Sequence, residues 1–101
     1  MTEKPLVHVG RVARAQGLQG QLRLSTFDHD APSIREGITV LLRSAQGRET
    51  PYLIQEVRRH AQGVLVRLQG ITTRTQAEAM LDLEVHVPKE ALPEQIGRAH
   101  V

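Results

Sequence analysis

The sequence predicts a mainly β protein, a small six-stranded β-barrel that is closed or nearly so, with one short helix. Three observations lead there. Polar and apolar residues alternate with a period of two over several stretches of strand length. Those stretches are bounded by glycine, proline or short polar turns. A single helix-start signal interrupts them near Thr73. The 101 residues, 40% hydrophobic and 24% charged, have an ordinary globular composition. A chain of this size buries roughly two-thirds of its unfolded surface, enough for one core.

In chain order, Leu6 to Ala13 is rich in β-branched residues (Val7, Val9, Val12) and reads as the first strand. Gln21-Leu22-Arg23-Leu24-Ser25 alternates cleanly, with Leu22, Leu24 and Thr26 on one face and Arg23 and Ser25 on the other. Ile38 to Arg43 is the third strand, between Gly37 and Ala45-Gln46-Gly47. Tyr52 to His60 is the fourth, long enough to expect a bulge or bend. Gly63 to Gln69 is the fifth, with Val64, Val66 and Leu68 on one face and Leu65, Arg67 and Gln69 on the other. The Ala61-Gln62-Gly63 link makes these two a hairpin. Thr73-Arg74-Thr75-Gln76 fits a capping box, and Ala77, Met80 and Leu81 follow at helical spacing. Asp82 closes that turn where glycine would fit better. Leu83 to Val87 returns to strand, with Val85 and Val87 inward, and Pro88 ends it. Residues 1–5 read as an N-terminal extension and 6–93 as the barrel domain. Residues 94–101 lack a period and read as a tail or a linker.

Composition excludes several function classes. Without cysteine there is no disulfide framework, thiol redox site or Cys-ligated zinc. No apolar run approaches the ~20 residues of a membrane helix. Met1 to Pro5 lacks the basic and apolar regions of a signal peptide. The expectation is a cytoplasmic protein without a membrane partner. Eleven of the thirteen basic residues are arginine, a side chain suited to bidentate contact with phosphate. The net charge of +2 is nevertheless far from a strong nucleic-acid footprint. Aromatic residues make up 2%, too few for recognition by base stacking.

Nothing in the sequence argues for catalysis. No Ser or Thr sits in a nucleophile elbow, and no Lys in a glycine-rich phosphate loop. Asp28-His29-Asp30 reads as a polar turn running into Pro32, since adjacent loop residues need further ligands to hold an ion. The five histidines (8, 29, 60, 86 and 100) are scattered along the chain. No catalytic residue, metal or cofactor is expected. Two features stand out for binding. Gly10 to Gly20 sets three glycines (Gly10, Gly17, Gly20) around a basic turn containing Arg11, Arg14 and Gln16, with Leu18 as an apolar tip. Arg58-Arg59-His60 ends the long strand, and alternation puts Arg58 and Arg59 on opposite faces.

These residues, in this order, resemble the N-terminal domain of the RimM family, bacterial maturation factors of the small ribosomal subunit. The family opens with a strand ending in Val-Gly-Arg-Ile/Val, seen here as Val9-Gly10-Arg11-Val12. A Gly-Leu/Ile-x-Gly loop, an alternating strand and a Ser/Thr-Phe-Thr-Asp-like segment follow. Here these are Gly17-Leu18-Gln19-Gly20, Leu22-Arg23-Leu24 and Ser25-Thr26-Phe27-Asp28. Glu56 to His60, Gly63 to Leu68, Gln69-Gly70-Ile71, Ala77-Glu78-Ala79 and Glu84 to Pro88 resemble its later landmarks. The resemblance spans residues 6 to 93. Arg14 and Gln16 stand where the family often has Gly and His, and Asp82 where it usually has Gly. The family's second half, a PRC-barrel domain, has no counterpart in these 101 residues.

The resemblance implies a barrel similar to those of translation elongation factors. It implies a non-catalytic role in assembly of the small (30S) subunit head and in 16S rRNA processing, by binding immature small subunits. The implied partners are ribosomal protein uS19 of the head, contacted mainly through the PRC half, and 16S rRNA, contacted directly. Arg11, Arg14 and Arg23 would then meet phosphates, Gln16 to Gly20 would form a docking loop, and Arg58 and Arg59 would add a second basic site. The alternative is a generic barrel module that binds protein through an apolar patch around Leu18, without RNA contact.

Overall fold

The computed structural model describes residues 6–27, 32–60 and 63–89. The expected extension at 1–5, the Asp28-His29-Asp30 turn and the 94–101 tail lie outside them. Six strands and one helix follow in chain order: β1 (Leu6–Gln16), β2 (Gln21–Thr26), β3 (Thr39–Arg43), β4 (Glu49–His60), β5 (Gly63–Leu68), α1 (Arg74–Glu78) and β6 (Glu84–Pro88). They close into an antiparallel barrel in the order β1-β2-β5-β4-β3-β6. Closure leaves no unpaired sheet edge, which is how so small a β protein avoids edge-to-edge association.

The interior is filled by one residue in two along each strand. Val12, Leu22, Leu24, Val40, Leu42, Ile54, Val64, Val66, Leu68, Val85 and Val87 are all buried there. Ile34, and Ala77 on α1, belong to the same core. A buried Leu, Ile or Val contributes roughly 1.5–3 kcal/mol by leaving water, so this layer holds the barrel together. The alternation of β2 is therefore legible in burial, as expected, whereas in β6 the outward His86 is buried along with the inward Val85 and Val87.

The long strands bend at bulges. Register shifts fall between His8 and Gly10, between Val12 and Arg14, and between Ile54 and Glu56. The last is the irregularity expected in β4. The second corrects the expected end of β1. The inward residues Val12 and Ala15 are three apart rather than two, so simple alternation stops at Ala13 while the strand runs to Gln16. Arg14 and Gln16 are thus strand residues, and only residues 17–20 form the turn. Gly10 serves the same bend: a Cβ there would run into Ser25 O and lie 2.9 Å from Thr26 Cα. β4 begins at Glu49, three residues before the expected start.

The capping box forms as expected. Thr73 Oγ1 accepts from Gln76 N–H (3.2 Å), and Gln76 Oε1 accepts from Thr73 N–H (3.1 Å). The helix is shorter than expected, so Met80 and Leu81 lie in the turn after it and Leu81 is exposed. Asp82 has φ +69°, the left-handed conformation that glycine would adopt at lower cost. Its N–H donates to Val12 O, and Val12 N–H donates to Leu83 O, both at 2.9 Å, which clips this turn onto β1.

Candidate nucleic-acid interface

The outer face of β1, β2, β5 and β4 gathers arginines from four strands. Arg14 on β1 is the register partner of Arg23 on β2. Arg23 is opposite Leu65 on β5, and Leu65 is opposite Arg58 on β4. The result is one transverse row, Arg14, Arg23, Leu65, Arg58, on the outside of the barrel. Leu65 is only 7% exposed despite facing outward. Its cross-strand neighbours on either side are Arg23 and Arg58, and the Arg23 Nε is itself buried. Arg67, two residues along β5, extends the row; its register partner is Glu56.

The charge balance of this face is unusual for the molecule. Three arginines elsewhere meet acids: Arg11 Nη1 lies 3.2 Å from Asp82 Oδ1, Arg43 Nε 3.8 Å from Glu49 Oε2, and Arg74 Nε 2.9 Å from Glu78 Oε2. Here two guanidiniums share one carboxylate: Glu56 lies 3.5 Å from Arg58 and 3.9 Å from Arg67. Arg23 Nη2 donates to Gln16 Oε1 at 2.9 Å, which orients the group. Arg14 is exposed, and no ion pair reaches it among the described residues. Like charges directly opposite across a strand pair destabilise a sheet.

The other expected contact residues are placed differently. Arg11 belongs to the β1–β6 side, where it pairs with Asp82 and is opposite Glu84. Arg59 takes the face opposite Arg58, as alternation requires, and Nη2 donates to Ile34 O at 2.8 Å. It serves the barrel end rather than the outer row. Leu18 is 80% exposed at the tip of the β1–β2 turn. Gly17 and Gly20 have positive φ there. A Cβ on Gly20 would stand 2.7 Å from Ile71 O, so only glycine lets this turn lie against the chain leading to α1. Arg74 Nη1 donates to Gly17 O at 3.2 Å and holds the turn from that side.

Two groupings escaped the sequence. Arg67 carried a signal, its outward phase on β5, but the neighbouring strands were unknown. The histidines are less scattered than the sequence suggests. His8 and His86 are register partners on β1 and β6, with stacked rings 4.8 Å apart. Glu84 Oε1 lies 3.0 Å from His86 Nε2, and that hydrogen bond, chief among the causes, lowers the Glu84 pKa below the ordinary carboxylate value. No helix among the described residues is long and apolar enough to cross a membrane.

A family model described as the RimM N-terminal domain matches residues 7–92. Ribosome maturation factor RimM of Caulobacter vibrioides is 37% identical over 92 residues, covering 91% of this chain and 46% of that protein. Its counterpart from Saccharophagus degradans is 33% identical over 89 residues, covering 88% and 48%. The solution structure of the N-terminal domain of RimM from Thermus thermophilus matches with a TM-score of 0.67 at 30% identity, over 87% of this chain and 94% of that one. The crystal structure of RimM from Pseudomonas aeruginosa has the same fold, with a TM-score of 0.71 at 21% identity, over 88% and 54%. The chain spans about half the length of the curated relatives it matches.

Proposed function

The chain belongs to the RimM N-terminal domain family, and from that premise we propose that it is a non-catalytic domain that binds immature small ribosomal subunits in the cytoplasm. It assists assembly of the 30S head and processing of 16S rRNA there. The names of its curated relatives, ribosome maturation factors, support the role. Residues 6–93 form the binding domain. The contact with uS19 falls mainly to the family's second half, and this barrel meets rRNA.

One observation carries the rRNA reading: the transverse row of Arg14, Arg23 and Arg58, extended by Arg67, on one outer barrel face. The row crosses four strands on a barrel face, a surface suited to a phosphate backbone rather than to base edges. Phosphate contacts give affinity and orientation without reading sequence. Specificity for immature particles then comes from the shape of unfinished rRNA and from the second half of the family. Leu18 and the turn at 17–20 flank the row and dock beside it.

The test is co-sedimentation of the 101-residue chain with immature small subunits, with mature ribosomes as control. About three phosphate contacts predict that binding falls about 15- to 40-fold between about 50 and 200 mM salt. Charge reversal at Arg14 and Arg58 should remove most of that dependence. Salt-insensitive binding that survives both reversals but is lost in Leu18→Ala would replace this reading with a protein-docking module. The 80% exposure of Leu18 is the observation that favours that second reading.

A further inference from the structure

We propose that His8, Glu84 and His86 form a binding site for one divalent transition-metal ion of the zinc class, on the outside of the β1–β6 seam. The site is independent of the rRNA reading and lies across β1 from the arginine row. Ligand atoms of these three residues all lie within 4.8 Å of one another. The grouping follows from register. His8 is opposite His86, and Glu84 and His86 are two apart on β6, so the pleat turns all three to the same side. His86 is nearly enclosed, with 8% of its side chain exposed, while Glu84 is about half exposed and His8 exposed. Val85 and Val87, packed in the core on either side of His86, fix the backbone that carries both β6 ligands.

The donor set and spacing suit zinc. Two imidazoles and one carboxylate are the ligands of three-residue zinc sites, with water completing the tetrahedron. Calcium and magnesium prefer oxygen donors throughout. Bonds of about 2.0–2.1 Å at tetrahedral angles set neighbouring ligand atoms about 3.3 Å apart. Glu84 Oε1 and His86 Nε2 already stand 3.0 Å apart, so an ion can replace the proton they share with little movement. His8 is held by a backbone carbonyl: its Nε2 lies 2.9 Å from Gly10 O. A carbonyl only accepts, so Nε2 carries the hydrogen and Nδ1 keeps its lone pair. This is the outer hydrogen bond that commonly orients a ligating histidine. The parallel His8 and His86 rings do not yet aim at one point, since their planes differ by 15°. The exposed His8 side chain supplies the movement by pivoting on its Gly10 O hydrogen bond, so that the ring leaves the stack while Nε2 keeps its partner. In doing so it leaves its edge contact with Phe27, whose ring centroid is 4.9 Å away.

Calorimetric titration of the untagged chain with Zn²⁺, and visible absorption with Co²⁺ as a tetrahedral probe, test the assignment. The expected result is one ion per chain, a tetrahedral Co²⁺ spectrum and a Zn²⁺-dependent rise in Tm. His8→Ala and Glu84→Gln, both at exposed or half-exposed positions, should each weaken binding at least about tenfold. Joint replacement of His29, His60 and His100 by alanine should leave it unchanged. The proposal is overturned by absence of binding at millimolar Zn²⁺. It is equally overturned by full affinity in both His8→Ala and Glu84→Gln, or by loss of binding in the joint replacement alone.

Discussion

β1 presents two different surfaces to its two neighbours. Towards β2 it sets Arg14 beside Arg23, and the face continues through Leu65 to Arg58 with little acid in reach among the described residues. Towards β6 it sets His8 beside His86 and Arg11 beside Glu84, with Asp82 and Glu84 supplying carboxylates. The first surface is rich in guanidinium groups around one paired carboxylate, a chemistry that suits an external anion. The second is internally compensated and offers mixed nitrogen and oxygen donors. Both rest on the same buried valines and leucines, so the difference lies wholly in the outward half of each strand's alternation.

The largest expected effect strikes both faces together. Gly10 lies where β1 passes between β2 and β6, and Gly10→Val should cost about 3 kcal/mol or more through clash with the β2 backbone. Thermal denaturation would show the loss, and binding of particles and of Zn²⁺ should weaken together. Separate weakening would mean that the two faces do not depend on one closed strand.

Next in size is the double reversal Arg14→Glu with Arg58→Glu. The slope of log binding against log salt should fall by about two, and particle binding at low salt by more than tenfold. Zn²⁺ affinity should stay as it was. A matching loss of Zn²⁺ binding would show that the faces are coupled.

Thr73→Ala removes the capping hydroxyl of α1 and should cost about 1 kcal/mol. The cost should appear in urea denaturation, with binding at either face unchanged. The smallest effect has the opposite sign. Arg14→Glu alone sets a carboxylate opposite Arg23, a gain of about 0.2–1 kcal/mol, or about 1 to 8 °C in Tm. A variant that is more stable but binds particles less well would show that the arginine pair is kept for binding. A fall in Tm would mean that Arg14 already has a stabilising role.

Local chemistry made much of this legible beforehand. The alternation of Leu22 and Leu24, the opposed phases of Arg58 and Arg59, the capping box at Thr73 and the strained turn at Asp82 depend on residues within a few positions of one another. Such features survive any arrangement of the strands. The bulge after Val12 was not legible, because it breaks the alternation on which strand reading relies. That is why Arg14 and Gln16 read as loop residues.

Local residue order sets the period of each strand, its inward apolar set, the helix at Thr73 and the ordered motifs that resemble one family. Which outward residues meet is fixed by the closing of the barrel. Arg23 lies beside Leu65 and His8 beside His86 because the barrel closes β2 onto β5 and β1 onto β6. The physical reason is that cross-strand neighbours are set by hydrogen-bond register between segments far apart in the chain. One residue of slip would turn every side chain to the other face, and the burial of the inner half forbids that slip. The core therefore chooses the register, and the register assembles both surfaces from residues that no local pattern connects.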